Sequence, residues 1–276
     1  MELNQILDRF VEGISAVDAK TEHTSANRRT GEMYLPGVKT MNEPKFVEEF
    51  LDWWRLEHPS DFSPRGASDR EVKYPGIPRA KCDLIFSSEG SPLETPEWSI
   101  EVKHVALVGN NGKNNDFGVA KILSPYLKDR SLIHDIERLR DHGIGKRKAV
   151  VGYSFEYSYQ SCYEAALKHP SHLDVVENIK EVCRMNDPSN GNYPLLPMIE
   201  FANEIFNHKG LVKELIVKDF KNAWRHPAGG NGKFFAWELG KYAKWRNFVF
   251  ISILNAFSYA VVVAVISKNE IRVGRC

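Results

Sequence analysis

Arg79-Ala80-Lys81-Cys82-Asp83-Leu84-Ile85-Phe86 and, after a turn-rich interval, Trp98-Ser99-Ile100-Glu101-Val102-Lys103-His104-Val105 are the stretches on which the fold turns. Lys81–Phe86 reads as one short strand and Trp98–Val105 as a second. The Ser, Gly, Pro and Glu of Ser87–Pro96 read as a turn or hairpin loop between them. Alternation along the second strand sends Trp98, Ile100 and Val102 to one face and Ser99, Glu101 and Lys103 to the other. An acid and a lysine therefore sit side by side on one face, with Asp83 placed to join them from the neighbouring strand.

That grouping suits phosphodiester hydrolysis. Two carboxylates offer the hard oxygen ligands that Mg²⁺ takes alongside several waters and a substrate phosphate. The metal acidifies a bound water and neutralises charge on the phosphate. A lysine beside the attacking water can orient it, or take its proton if desolvation lowers the lysine pKa. The Glu-x-Lys pattern is common by itself: Glu43-Pro44-Lys45 and Glu71-Val72-Lys73 also carry it. The first opens a helix and the second runs into Pro75-Gly76, so only Glu101-Val102-Lys103 lies in an apolar alternation with an acid-bearing strand ahead of it. A solvated strand face is the competing reading of the same residues.

Asp83 followed by Glu101-Val102-Lys103 resembles the active-site signature of the PD-(D/E)xK nuclease superfamily, with Cys82 where that signature often has Pro. Tyr74-Pro75-Gly76, Arg79–Leu84, Ile100–Lys103, Ile122–Tyr126, Asp129-Arg130-Ser131 and Phe235–Glu238 together resemble an uncharacterised bacterial family within it, over roughly Tyr74 to Leu239. The resemblance implies an α/β fold with a restriction-endonuclease-like core, a mixed central sheet flanked by helices. It implies Asp83 and Glu101 as metal ligands, joined by the Val102 backbone carbonyl, with Mg²⁺ as cofactor and Mn²⁺ as a substitute. Lys103 would position or activate water. Enzymes of this kind often add an acid from the first core helix; Glu43 is the candidate by facing and Glu49 stands behind it. Glu43 equally suits the positive end of a helix.

With 276 residues, 42% hydrophobic and 26% charged, the chain is long enough for a substantial core. A net charge of +1 gives no global electrostatic case for nucleic acid, so a DNA-binding surface must come from local clustering of Lys and Arg. Cys82, Cys162, Cys183 and Cys276 form no metal-binding or disulfide pattern, which points to a reducing, cytoplasmic setting. No signal peptide is visible at the N-terminus.

Three regions follow from the pattern. Residues 1–41 comprise an amphipathic helix over Leu3–Ile14 and a polar, exposed connection over Asp18–Thr40. Residues 42–240 form the nuclease-like domain. Its second helix is capped by Asn42, carries Pro44 in the first turn, and buries Phe46, Val47, Phe50, Leu51 and Trp54. Pro59–Lys73 reads as loop and Gly109–Asp116 as a polar turn whose Lys113 could meet nucleic acid. Lys128–His142 reads as a helix on which Arg130, His134 and Arg138 share one side, either facing phosphates or forming an ordinary charged surface. Lys148–Phe155 is the apolar run of a central strand. Helices are expected near Cys162–His169, His172–Met185 and Pro197–Phe206, and strands over Leu211–Trp224 and Phe234–Leu239, with Asn231-Gly232 as a hairpin turn. Residues 241–276 form an apolar tail. Its Phe248–Ile266 segment of nineteen uncharged residues could contact or span a membrane, or pack as buried strand or helix.

The expectation is thus a Mg²⁺-dependent endonuclease acting on DNA in restriction, defence or DNA processing, with RNA left open. Cutting both strands would suit a homodimer. The alternative is a non-catalytic nucleic-acid or protein interaction module on the same fold, tethered to a membrane by its tail.

Overall fold

The computed structural model describes residues 1–22, 26, 31–62, 67–87, 95–115, 122–124 and 131–240. Six strands, β1 (Ala67–Lys73), β2 (Lys81–Ser87), β3 (Trp98–His104), β4 (Arg147–Phe155), β5 (Val212–Ala223) and β6 (Gly230–Leu239), form one mixed sheet in the order β1-β2-β3-β4-β6-β5. β1, β2 and β3 make an antiparallel meander. β4 runs parallel to β3, with helix α3 (Leu132–His142) in the crossover, and pairs antiparallel with β6, which pairs antiparallel with β5. The apolar run Ala149–Phe155 occupies the middle of the sheet and is buried throughout, as a strand covered on both faces must be.

Helices α1 (Leu3–Lys20) and α2 (Glu43–Glu57) cover one face. Phe10 stacks on Phe50 at 4.1 Å, Phe46 meets Tyr153 at 4.8 Å, and Trp54 stacks on Phe86 at 5.2 Å. The strand register puts Trp98, Ile100 and Val102 on this face beside Phe86, Leu84 and Val151. The helix α2 starts where expected: Asn42 Oδ1 accepts from the Lys45 amide at 2.9 Å. Its buried residues are the five of the apolar stripe. The opposite face carries α3 and α6 (Leu195–His208); Phe206 meets Trp237 edge-on at 5.2 Å and Asn203 accepts from Trp237 Nε1 at 3.1 Å. Helices α4 (Tyr159–Lys168) and α5 (Leu173–Asn186) pack on each other after β4.

Several expectations change. Residues 59–73 are not simply loop: a 3₁₀ turn at Pro59–Phe62 leads to the edge strand β1. Its sequence Ala-Ser-Asp-Arg-Glu-Val-Lys lacks β-branched alternation because an edge strand pairs on one side only. Asn231 and Gly232 lie within β6, and the reversal falls in 224–229. Gly232 is needed for a close approach, since a Cβ there would stand 2.2 Å from the Ser154 carbonyl oxygen. Helix α1 runs past Ile14 to Lys20, so Asp18 belongs to the helix, and the connection after it is not fully exposed. Buried Asp18 accepts from the amides of Val38 and Arg225 at 2.8 Å each, and buried Lys39 Nζ donates to the Val108 carbonyl at 2.5 Å. Met1–Lys241 form one compact unit in which α1 packs on α2 and β5, so residues 1–41 share a core with 42–240. Residues 248–266 lie outside the described residues, and no helix among the described residues is long and apolar enough to cross a membrane.

Candidate active site

The β2–β3 ladder stops one step short of the paired acids. Its last pair is Leu84 with Ile100, so the next pair in register would be Asp83 with Glu101. There the strands part. The Val102 amide donates to Asp83 Oδ2 at 2.8 Å in place of a backbone partner, and Cys82 Sγ reaches the Ile100 carbonyl at 3.5 Å. In an extended strand a residue's carbonyl opens to the same side as its amide, so the Val102 carbonyl faces the same opening. Burial of Cys82, with the Glu101 charge nearby, pushes its thiol up to about 12 and keeps it inert.

The Asp83 and Glu101 carboxyls interact, and each titrates above its ordinary value. Burial is the main cause at each. At Glu101 the charges of Asp83 and Asp135 add to it and Arg138 opposes it; at Asp83 the Glu101 hydrogen bond and the Val102 amide oppose it. Two crowded carboxylates in low dielectric resist ionising together. Glu101 is 2% exposed and Lys103 7%, which removes the solvated-face reading.

The remaining charges come from helices. Lys103 Nζ lies 2.9 Å from Asp135 Oδ2 and donates to Glu43 Oε2 at 3.3 Å. Burial works against the ammonium, but Asp135 and Glu43 outweigh it and hold the Lys103 pKa above its ordinary value. Glu43, in the first turn of α2, also accepts from the His104 amide at 3.1 Å through Oε1. Arg138 donates to Glu101 Oε1 at 2.9 Å and to Asp135 Oδ1 at 2.7 Å, and Tyr74 OH also donates to Glu101 Oε1. The Arg138 guanidinium lies 5.6 Å from the centre of the Tyr74 ring.

These groups line a cleft of about 720 Å³ that is open to solvent beside Arg79 and Lys81. Lys81 pairs with Glu71 at 3.3 Å. Arg79 is exposed, makes no ion pair among the described residues, and sits at φ 67, a left-handed conformation that side chains other than Gly seldom take. The turn holding it is tied by the Tyr74 amide to the Ala80 carbonyl at 3.1 Å.

Asp83, Glu101, Lys103 and the Val102 backbone meet in one place, with Glu43 beside them. Glu43 is directed at Lys103 and the His104 amide, not presented as a free ligand, and Glu49 is drawn off to Lys45 at 2.7 Å. Arg138 belongs to the site but is spent on carboxylates, not held out in a cationic row; Arg130 lies outside the described residues. Lys113 is exposed on a loop that does not line the cleft; Asn178 Nδ2 of α5 ties that loop at the Asn111 carbonyl, 2.9 Å away. Sequence reasoning passed over Asp135 and Tyr74. Asp135 had a signal: with Leu132, Ile136 and Leu139 it falls on the apolar stripe of α3, where an acid must find a partner.

Comparison with family models, curated proteins and solved structures finds no match to this chain. Among the described residues no group of three or more His, Cys, Asp or Glu side chains is arranged to hold a metal ion. What the site offers is the Asp83–Glu101 pair and the Val102 carbonyl, an oxygen donor set that suits a cation keeping most of its own water.

Proposed function

We propose that this chain is a Mg²⁺-dependent nuclease of the PD-(D/E)xK type, built on a restriction-endonuclease-like core and hydrolysing phosphodiester bonds in DNA. The observation that carries the reading is the parting of β2 and β3 at Asp83 and Glu101, with Lys103 one position further along the same face. The order helix α2, antiparallel meander, helix α3, parallel strand β4 supports the core expected from the sequence resemblance. DNA as substrate rests on that resemblance alone.

Mg²⁺ held by Asp83, Glu101 and the Val102 carbonyl would acidify water and neutralise charge on the phosphate. Mn²⁺ has compatible ligand preferences. The chain's own part is separable from the metal. Asp135 and Glu43 keep Lys103 as an ammonium and fix where it points. In that form Lys103 orients an oxygen nucleophile and offsets developing negative charge; it does not take the proton. Arg138 and Tyr74 hold the Glu101 rotamer.

One observation favours the second reading, an interaction module without catalysis. Glu101 Oε1 is already engaged by Arg138 and Tyr74, as in a structural ion-pair cluster. Calorimetric titration with Mg²⁺ separates the two: the nuclease reading expects binding by the wild type that Asp83→Ala removes. Absence of Mg²⁺ and Mn²⁺ binding by the wild type, with no cleavage of DNA or RNA, would leave the interaction module.

A further inference from the structure

A charge imbalance away from the cleft lies where the α3–β4 loop meets the ends of β5 and β6. A pocket of about 550 Å³ there is lined by Arg140, Lys146, Arg147, Lys148, Lys213 and a single acid, Glu238. Glu238 is fully taken: Arg147 Nη2 reaches it at 2.7 Å, and Lys213 also pairs with it. Arg147 spends its other arm on Glu2 at 2.9 Å and lies 4.0 Å over the Trp98 ring. These two cations are structural.

Three others are not. Arg140 pairs through Nε and Nη2 with exposed Asp141, but its Nη1 is buried with no hydrogen-bond partner among the described residues. Lys148 Nζ donates to the neutral Arg140 carbonyl at 2.7 Å and touches no carboxylate. Lys146 is exposed and has no ion pair among the described residues. A buried guanidinium donor left unsatisfied is costly, and like charges close together add to the cost. Such an arrangement persists where an anion completes it.

The floor of the pocket is already fixed. The Gly145 amide donates to Ser99 Oγ at 2.7 Å, and a Cβ on Gly145 would stand 2.4 Å from the Ser99 nitrogen. The loop therefore lies flat on β3 and holds Lys146 and Lys148 on either side without further ordering. A preorganised set of Arg and Lys donors suits a tetrahedral, multiply charged oxyanion better than a single carboxylate, which would leave donors unused.

We propose that this pocket is a binding site for a phosphate group, distinct from the carboxylate cleft. Arg140 Nη1 and Lys148 Nζ would bind its oxygens directly, and Lys146 would close over it from solvent. The site stands whether or not the cleft is a nuclease, because the two share no lining residue. Pyrophosphate is the small-anion probe. A short oligonucleotide, with and without a 5′-phosphate, tests whether the phosphate comes at the end of a nucleic-acid chain.

The experiment is calorimetric titration of the full chain with each probe, on wild type, Lys146→Gln, Lys148→Gln and Arg140→Gln. The expected result is saturable binding by the wild type. Each pocket variant should weaken it about tenfold, a loss of ~1.4 kcal/mol on the scale of one charge-assisted hydrogen bond. Tighter binding of the 5′-phosphorylated than of the 5′-hydroxyl oligonucleotide would assign the phosphate to a nucleic-acid end; tighter binding of pyrophosphate would assign it to a small anion. Lys146→Gln changes an exposed side chain and keeps the test valid if a buried variant unfolds. Binding that all three pocket variants leave unchanged, or no saturable binding of any probe at millimolar concentration, would overturn the proposal.

Discussion

Replacing Asp83 with Asn should abolish the protein's response to divalent metal. The Asp83 carboxyl accepts from the Val102 amide, and burial beside one another raises the pKa of both Asp83 and Glu101. Asparagine keeps the acceptor for Val102 and turns an NH₂ toward Glu101, so no second carboxylate opposes the Glu101 charge. Without metal at neutral pH, Asp83→Asn should match or exceed wild-type stability by about 1 kcal/mol, the net worth of one hydrogen bond. For a domain of this size that is a rise in Tm of roughly 2–4 °C.

The pH dependence has a fixed sign. Asp83 and Glu101 have folded pKa values above their unfolded ones, so the folded state binds more protons in that window. Wild-type stability from this pair is complete below the ordinary carboxylate pKa and falls as pH rises through the raised values. The advantage of Asp83→Asn should therefore vanish in acid and grow toward neutrality. Mg²⁺ reverses the ranking: at one hundred times its Kd a ligand adds about 2.7 kcal/mol, or roughly 5–11 °C in the wild type, and nothing in the variant. Thermal denaturation with EDTA and with Mg²⁺, between acid and neutral pH, reads both effects. A variant that is less stable than wild type in EDTA at neutral pH, or a wild type whose Tm ignores Mg²⁺, would refute the reasoning.

Other outcomes follow from the same geometry. Lys103→Ala should lower turnover by about 10²-fold or more while leaving the Kd values for Mg²⁺ and DNA near wild type, since the lysine serves the reacting atoms; single-turnover cleavage and calorimetry check the two halves. Arg79→Gly relieves the left-handed backbone and removes a cation at the cleft mouth, so stability should hold or rise slightly while the apparent Kd for DNA weakens. Loss of stability without loss of binding would make Arg79 structural. Asp18→Ala leaves the amides of Val38 and Arg225 without their acceptor and should cost about 2–5 kcal/mol in urea unfolding, with Asp18→Asn recovering part of it.

The parts of this fold that were legible in the sequence are those with a local cause. Asn42, Pro44 and the five-residue apolar stripe specify α2 and where Glu43 points, and the alternation of Trp98–Lys103 specifies the two faces of β3. β1 was not legible: an edge strand needs pairing on one side only, so its composition reads as loop. The partners of Glu101 and Lys103 were not legible either. Asp135 and Arg138 reach them because α3 crosses the sheet on that face, a tertiary fact that helical periodicity alone leaves open. Periodicity put Arg138 in a row with Arg130 and His134; packing turned it onto two acids. Asn231-Gly232 carried a turn signal, but Gly232 is there for the close approach of Ser154 and Phe220.

The most direct test of the account is nicking of supercoiled plasmid by the purified protein in Mg²⁺, in Mn²⁺ and in EDTA, alongside Asp83→Ala and Lys103→Ala. The account predicts metal-dependent nicking by the wild type, none in EDTA, and loss of activity in both variants. Full nicking activity in Lys103→Ala, or wild-type activity that persists in EDTA, would contradict it.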